Sequence, residues 1–329
     1  MKNFEYTNHL DEIEHVGSRL VLGAEQRLTA PVITVIMPIY NHPEYFRKSL
    51  SAVLNQKCDF EYEVVIVDNG HPELQSANQK VVEELITPFT WYYVNNENVG
   101  GCNNQNMGIL LAKGKYVTFC HDDDLFYEDT LQSLITEKQT HLNEPCAIFG
   151  TIRSIDETDA PLNTYVEWDS PILIGKERYK VSAYDMLLRN YSNGCSSLYE
   201  RDKLLEMGGF NIDYIPCPDY AMNTCYVLRY GAYFIRKETL KYRVSPQGDC
   251  STAYRNIVEA NRKIKENIYR SGYISKLFPK FFIEANLRVE HLHLYERWDK
   301  DAPSARDYFF DRIINKIWIF SMLIIKRFK

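Results

Sequence analysis

Three consecutive carboxylates, Asp122, Asp123 and Asp124, are the residues of this sequence best suited to chemistry. They directly follow residues 116–120, a short apolar run that is typical of a buried strand. Adjacent like charges repel one another, so the triplet needs water, cations or hydrogen-bond donors around it. Mg²⁺ commonly binds carboxylates together with the phosphates of a substrate. The triplet therefore indicates either a metal–phosphate site or a solvated acidic turn before a helix.

Apolar runs alternate with segments of helical spacing before this triplet. The runs predict buried strands at residues 32–37, 63–67, 91–94 and 116–120, and the segments between them predict helices at 44–56, 74–86 and 103–112. This alternation predicts an α/β fold with a doubly wound, parallel sheet. Polar residues follow each strand, among them Tyr40, Asp68, residues 95–98 and the acidic triplet. Because ligands bind at the carboxyl ends of such strands, we expect one ligand site along one sheet edge.

The composition narrows the class of protein. Hydrophobic residues make up 45% and charged residues 25% of the chain, which is ordinary for a globular protein. The formal net charge of -6 argues against non-specific nucleic-acid binding. The 8 cysteines include no Cys-x-x-Cys pair, and residues 1–30 contain no apolar segment of the signal-peptide kind. These features predict reduced thiols and a cytoplasmic location.

Several short motifs in this order form a recognisable set. They are Pro-Ile-Tyr-Asn at 38–41, Asp-Asn-Gly at 68–70, Asn-Val-Gly at 98–100 continuing to Asn-Met-Gly at 106–108, and Gly-Gly-Phe-Asn at 208–211. The set resembles the family 2 type of glycosyltransferase, inverting enzymes of polysaccharide and O-antigen assembly. That family has the GT-A fold, a Rossmann-like unit with a mixed sheet. The resemblance covers roughly two thirds of the chain.

The resemblance implies a set of nucleotide-binding residues. Tyr40 would pack on the nucleotide base and Asp68 would accept a hydrogen bond from it. The full implied set is Pro38, Tyr40, Asn41, Asp68, Asn98, Gly100, Asn106 and Asp122. Asp122 falls on a variable position of the family pattern, where a solvated turn residue is the other interpretation. Gln105 stands where many relatives have an arginine near the diphosphate, which removes one cation.

The resemblance also implies a divalent metal ion, Mn²⁺ or Mg²⁺. The metal motif of the family usually reads Asp-x-Asp-Asp, and this sequence has His121 at the first Asp. Asp123 would be the direct metal ligand, with Asp124 beside it and His121 as a further ligand. A histidine can bind a metal ion or a sugar hydroxyl, so this replacement is compatible with activity.

Asp219 is implied to be the general base. It follows the Gly-Gly-Phe turn by some ten residues and stands where relatives carry Glu-Asp at a helix start. A carboxylate within hydrogen-bond reach can take the proton of an attacking sugar hydroxyl. A helix N-cap is the other interpretation of an Asp at this position. Pro218 replaces the usual Glu, and Ser245 replaces a histidine that is sometimes a metal ligand.

The predicted organisation has three parts. Residues 1–30 form an N-terminal leader of one or two short helices. Residues 31–245 form the GT-A domain, with a nucleotide-binding half at 31–125 and an acceptor half at 126–245. Residues 246–329 form a helical extension with an apolar, basic tail. The apolar part of the tail is shorter than the ~20 residues that span a bilayer, which favours a helix on the membrane interface or one packed on the domain.

Three candidate functions can be compared with these features. The first is a metal-dependent inverting glycosyltransferase that moves a sugar from a nucleotide donor, a UDP-sugar, to a saccharide hydroxyl. The acceptor would be a growing saccharide, such as one linked to undecaprenyl diphosphate, in O-antigen, capsule or exopolysaccharide synthesis at the cytoplasmic face of the membrane. The second is a catalytically impaired, nucleotide-sugar-binding partner subunit. The third, a nucleotidyltransferase, calls for a glycine- and lysine-rich phosphate loop that residues 38–43 do not supply.

Overall fold

The computed structural model describes residues 2–23, 27, 30–40, 42–70, 72–162, 177–195, 197–244, 249–298 and 308–327. Its strands are β1 Ser18–Leu22, β2 Ile33–Ile39, β3 Tyr62–Asp68, β4 Thr90–Asn95, β5 Tyr116–Phe119, β6 Leu125–Phe126, β7 Ala147–Ile155, β8 Arg178–Val181, β9 Ser197–Glu200 and β10 Ala232–Arg243. Its helices are α1 Leu10–Val16, α2 Pro43–Leu54, α3 Pro72–Leu85, α4 Gly100–Leu111, α5 Thr130–Gln139, α6 Ala183–Leu188, α7 Arg201–Met207, α8 Pro218–Tyr230, α9 Asp249–Arg270, α10 Phe281–Trp298 and α11 Phe309–Arg327.

These strands form one mixed sheet in the order β1-β4-β3-β2-β5-β9-β7-β10-β6, with β8 also paired to β10. Strands β4, β3, β2 and β5 are parallel, as the sequence predicted. Strand β9 joins this half antiparallel to β5, and it joins the second half antiparallel to β7. Every residue of β2 and β3 is buried, which is the expected result for a strand covered on both faces.

The N-terminal segment differs from the predicted leader of short helices. It contains one helix, α1, and one strand, β1, which extends the sheet antiparallel to β4. Phe4, Leu10 and Ile13 are buried, so this segment is packed into the fold. The strand was not predicted because its five residues are half-buried or exposed, without the alternation that marks a strand with one buried face.

The C-terminal part is helical, as predicted. Helix α9 packs against α6 and α8, and α10 packs between α9 and α11. Trp318 of α11 is buried, with its ring 5.5 Å from that of Phe278. Within the described residues, the helices are all too short or too polar to cross a bilayer.

Candidate active site at the sheet edge

The carboxyl ends of four parallel strands meet at one edge of the sheet. Ile39 of β2 lies beside Asp68 of β3, and Asp68 lies beside Val94 of β4. On the other side of β2, Ile36 pairs with Phe119, the last residue of β5. The segments that follow these strands are therefore neighbours in space, although they are far apart in the sequence.

Asp68 organises the end of β3. Its Oδ1 accepts a hydrogen bond from the N–H of Gly70 at 2.7 Å, and its Oδ2 accepts from the Tyr92 hydroxyl at 2.6 Å and the Asn78 amide at 3.1 Å. Burial raises the pKa of Asp68, and these donors act in the opposite direction. A Cβ on Gly70 would lie 2.7 Å from the Tyr40 carbonyl oxygen, so the turn requires glycine. Next to this turn, the side chain of Tyr40 is 46% exposed and open to a planar ligand.

Four asparagines connect the strand ends to the start of α4. Asn104 donates to the carbonyl oxygens at the ends of β2 and β3 at 3.3 and 3.0 Å, and it accepts from Asn95 at 2.8 Å. Asn69 accepts from Asn95 at 3.2 Å and donates to Asn98 at 2.9 Å. The Oδ1 of Asn98 also accepts from the N–H of Gly100 at 3.0 Å. The network thus holds a helix N-terminus, which favours anionic ligands, at the site edge.

Two other residues of the predicted nucleotide-binding set are buried and contact only other parts of the protein among the described residues. Pro38 is buried within β2 beside Val67 of β3. Asn106 is fully buried, accepts from the N–H of Phe210 at 2.7 Å and donates to the carbonyl oxygen of Phe210 at 2.8 Å. Asn106 therefore clamps the Gly-Gly-Phe turn against α4, a contact that the sequence did not predict. Asn41 lies outside the described residues.

The acidic triplet forms a tight turn between β5 and β6. The Oδ2 of Asp122 accepts a hydrogen bond from the N–H of Tyr40 at 3.0 Å, which ties the turn to the end of β2. The carboxylate of Asp124 is fully buried, and its Oδ1 accepts from the N–H of Arg243 at 3.0 Å. The Nε of Arg243 donates to the carbonyl oxygen of Asp123 at 2.9 Å.

Arg243 is a site residue whose role the sequence did not predict. Its guanidinium is 1% exposed and donates to the Asp156 carbonyl oxygen at 2.7 Å and to Asp159 Oδ1 at 2.5 Å. It also lies 4.3 Å above the ring of Tyr45. The sequence places this arginine two residues before Ser245, but the pattern does not show that it folds back onto the acidic turn. Ser245 itself lies outside the described residues.

Two carboxylates of the turn, Asp122 and Asp123, have raised pKa values. Burial and the charges of Asp124 and Asp122 raise the pKa of Asp123 to about 8, against an opposing effect of His121. Burial also raises the pKa of Asp122. A nearby cation favours the ionised form of a carboxylate. The electrostatics of the turn therefore suit a positively charged ligand.

Three potential metal ligands converge behind the turn. One ligand atom each of His121, Asp124 and Cys195 lies within 4.8 Å of the other two. His121 and Asp124 were both predicted as metal ligands, whereas Cys195 was not. Asp123, which was predicted to be the direct ligand, does not belong to this converging set. Cys195 was missed because a lone cysteine carries no metal signal until the fold brings it to a histidine and a carboxylate.

Asp219 is the second residue of α8, and the N-cap of that helix is Cys217. The Oδ2 of Asp219 accepts a hydrogen bond from the Asn190 amide at 2.8 Å, and Asn190 in turn accepts from Asn223 at 3.1 Å. Burial raises the pKa of Asp219 to about 6, while His121 acts to lower it. Asp219 is thus a half-buried carboxylate that a neighbouring amide holds in place, and the sequence did not predict that amide.

The acidic turn, α4 and α8 border the same space. The charge of His121 lowers the pKa of Asp219, and the charge of Asp219 raises the pKa of Cys102 in α4. A carboxylate with a raised pKa therefore lies near the acidic turn and near a helix N-terminus. Such a combination of titratable groups at a strand-end edge is typical of an active site.

The comparisons with known proteins relate part of this chain to a family. Residues 34–196 match the model described as "Glycosyl transferase family 2". The match covers just under half of the chain, and these residues are similar to a family 2 glycosyltransferase domain. The matched region contains the strand ends and the acidic turn of the nucleotide-binding half, and it extends into the acceptor half as far as residue 196.

Two curated relatives and one solved structure show further what the chain is similar to. The chain is 28% identical over 182 residues to an uncharacterized glycosyltransferase of Rickettsia felis. This alignment covers 55% of the present chain and 29% of the relative. It is 30% identical over 112 residues to the minor teichoic acid biosynthesis protein GgaB of Bacillus subtilis. This alignment covers 34% of the present chain and 12% of GgaB. The chain thus spans less than a third of the length of both relatives.

The solved structure is S. aureus TarS, residues 1–349, in complex with UDP-GlcNAc. It matches 82% of this chain and 74% of its own at 16% identity, with a TM-score of 0.59. The mixed sheet with a helical C-terminal part is thereby confirmed as a GT-A type fold.

Proposed function

We propose that this chain is an inverting glycosyltransferase that transfers a sugar from a UDP-sugar to a hydroxyl of a saccharide acceptor in cell-surface polysaccharide synthesis. The observation that carries the proposal is the position of Asp219, a half-buried carboxylate near the strand-end edge with a raised pKa. UDP-GlcNAc bound in TarS supports a nucleotide-sugar donor of the UDP class. GgaB, a teichoic acid biosynthesis protein, supports a cell-surface polymer as the product.

In the proposed mechanism, the donor lies along the strand ends. The exposed ring of Tyr40 stacks on the nucleotide base, and the N-terminus of α4 faces the diphosphate. Asp219 accepts the proton of the acceptor hydroxyl as its oxygen attacks the anomeric carbon from the side opposite the leaving group. Attack from that side inverts the anomeric configuration. Asn190 fixes the carboxylate, so the orientation of the base does not depend on the acceptor.

The residues of the acidic turn fit a divalent cation. Asp124 Oδ2 is buried without a hydrogen-bond partner, and Asp123 carries a raised pKa that a cation would offset. Asp123, Asp124 and His121 are the residues that we propose to hold Mn²⁺ or Mg²⁺. When bound, such an ion stabilises the negative charge of the departing diphosphate. Arg243 supports this region because it donates to the Asp124 carboxylate and to the carbonyl oxygen of Asp123.

Donor binding tests the proposal first. The nucleotides to be compared are UDP, GDP, CMP and dTDP. Of these four, we expect UDP to raise the melting temperature in the presence of Mn²⁺. A ligand at a hundred times its dissociation constant adds about 2.7 kcal/mol to the free energy of unfolding. The shift should be lost in Asp123→Ala and kept in Asp129→Ala, which removes a carboxylate that pairs with Lys237 instead. Absence of a shift with all four nucleotides would contradict the proposed donor site.

A catalytically impaired nucleotide-sugar-binding subunit is the second candidate. His121 stands where the family has an aspartate in the acidic turn, and its side chain is 28% exposed. Pro218 occupies the first position of α8, where relatives have a glutamate. Such a subunit would bind the nucleotide-sugar donor as the enzyme does, but it would transfer no sugar to any acceptor. Release of UDP that depends on an acceptor therefore separates the two.

Helix α11 supports a membrane-bound acceptor. One face of this helix exposes Phe310, Ile313, Ile317 and Phe320, each at least 40% accessible, at a spacing that places them on one side. Arg312 and Lys316 lie on the same helix. Apolar residues next to basic ones suit the interface of an anionic membrane. We therefore propose peripheral contact with the cytoplasmic face of the membrane, where a lipid-linked saccharide is accessible.

Vesicle sedimentation tests this contact. We expect the full chain to bind vesicles that contain anionic lipid and to bind neutral vesicles more weakly. The double change Phe310→Ser and Ile317→Ser should abolish binding because it removes the centre of the apolar face. Leu142→Ser is the matched control, since Leu142 is 66% exposed but lies outside α11. Equal binding of the double variant and the control would refute the assignment of this face.

A further inference from the structure

Helix α6 ends next to the residue that orients the proposed base. It spans Ala183–Leu188, and Asn190 follows its last residue by two positions. The Nδ2 of Asn190 donates to Asp219 Oδ2 at 2.8 Å. A helix of 6 residues is too short to be stable by itself, so contacts with other elements determine where it ends. Any group that fixes the end of α6 therefore also fixes the start of the segment that carries Asn190.

A buried lysine of the helical extension reaches this end of α6. Lys265 of α9 is fully buried, and its Nζ donates to the carbonyl oxygen of Leu188 at 3.4 Å. The same ammonium group donates to Glu290 Oε1 at 2.6 Å and to Asn286 Oδ1, both in α10. An ammonium group has three donors, and all three are used here. One side chain thus joins α6 to two helices of the C-terminal part.

The last peptide group of α6 is held on both sides. Its carbonyl oxygen accepts from Lys265, and its N–H, which belongs to Arg189, donates to the carbonyl oxygen of Asp185 at 3.1 Å. The hydroxyl of Tyr220 in α8 donates to a second carbonyl oxygen at this end, that of Met186. A cation is also favourable at a helix C-terminus, where the carbonyl groups point toward it. The end of α6 is therefore fixed from both α8 and α9.

The ion pair of Lys265 and Glu290 is a costly way to join helices. Burial lowers the pKa of Lys265, and the charge of Glu290 acts in the opposite direction. Well-packed apolar side chains often hold helices together as firmly as a buried ion pair does. What the pair adds is direction, because hydrogen bonds to three acceptors fix the ammonium group relative to the carbonyl oxygen of Leu188.

We infer that Lys265 is a positioning residue for sugar transfer: it fixes the end of α6, which places Asn190 against the carboxylate of Asp219. The network continues to α11, since Asn286 Nδ2 donates to Asn315 Oδ1 at 3.0 Å. The C-terminal helices are thus part of the support of the active site. This inference rests on the proposed function, which gives Asp219 the role of the base.

A double-mutant cycle tests this role in the full chain. Lys265→Met combined with Glu290→Gln removes the ion pair, nearly keeps the side-chain volumes and leaves neither charge buried without its partner. We expect this pair variant to lower kcat by about 10–100-fold, the size of effect that a small displacement of a catalytic group has. The KM for the donor and the UDP-dependent melting shift should stay at their wild-type values. Asn190→Ala should also lower kcat, and adding the pair variant to it should lower kcat no further, because both act on one interaction.

The pH profile gives a readout that a general loss of stability would not change. Burial raises the pKa of Asp219, and the hydrogen bond from Asn190 lowers it. Displacement of the amide should therefore move the low-pH limb of the rate profile to higher pH in the pair variant. Within the described residues, His121, Cys102 and Tyr199 are the other titratable groups that interact with Asp219, and the pair variant leaves them in place.

Lys263→Met is the matched control. Lys263 lies on the same helix as Lys265 and also donates to a backbone carbonyl oxygen, that of Asp213 at 2.8 Å, which is outside α6. This variant should keep the wild-type kcat and the wild-type pH profile. If the pair variant does not fold, Tyr220→Phe replaces it in the cycle, since it removes the other donor to the end of α6 at nearly constant shape.

Two results would overturn the inference. One is a wild-type kcat in the folded pair variant or, where that variant does not fold, in Tyr220→Phe. The other is a rate loss that multiplies with the loss in Asn190→Ala, because independent effects would then be at work. Full turnover of Asp219→Asn would instead contradict the proposed function, so the two kinds of failure are distinguishable.

Discussion

Asp219→Asn is expected to lower the rate of sugar transfer by about 10²–10⁴-fold and to leave donor binding at the wild-type level. The amide has nearly the shape of the carboxylate but cannot accept the proton of the acceptor hydroxyl. Turnover measured as UDP release, together with the UDP-dependent melting shift, separates the two effects. Asp202→Asn makes the same chemical change at an exposed residue of α7 and should have wild-type turnover.

The pH dependence of the wild type gives an independent readout of the same residue. A general base must be ionised, and burial raises the pKa of Asp219 to about 6. The rate should therefore fall as the pH drops through about 6 and should reach a plateau above it. Near-wild-type turnover of Asp219→Asn, or a wild-type rate that does not change across this pH range, would show that another group acts as the base.

The half of the fold at residues 31–125 could be predicted because its central strands are long and buried on both faces. Strands β2 and β3 are continuous apolar runs, and a polar turn follows each of them. Strands β1 and β6 could not be predicted in this way. β1 is an edge strand without a buried face, and β6 has only two residues, so neither leaves a periodic pattern.

For the candidate site, the local sequence predicted which residues lie at the sheet edge, but it did not predict their partners from distant parts of the chain. The types of residue that follow each strand placed Tyr40, Asp68 and the acidic turn at one edge, because parallel strands end together. The partners of these residues come from distant parts of the chain. Cys195 reaches the turn across the acceptor half, and Arg243 reaches it from the end of β10. A single sequence does not encode such pairings in any spacing.

The role that the sequence implies for Asn106 differs from the contacts that this residue makes in the structure. The family spacing implies a nucleotide contact, whereas the side chain is fully buried and bonded to both backbone groups of Phe210. Gly209 is in the left-handed region with φ of 64°, and a Cβ there would lie 2.4 Å from Asn106 Oδ1. The glycine and the asparagine therefore fit each other, which indicates a clamp between α4 and the turn after α7.

Asn106→Ala is expected to lower the free energy of unfolding by about 2–4 kcal/mol, because it leaves a buried N–H and a buried carbonyl of Phe210 without partners. Urea unfolding followed by tryptophan fluorescence measures this change. The folded variant should keep the wild-type dissociation constant for UDP. Gln105→Ala removes the neighbouring, half-buried amide of α4 and should change the stability by much less. A variant of unchanged stability with weakened UDP binding would instead identify Asn106 as a nucleotide contact.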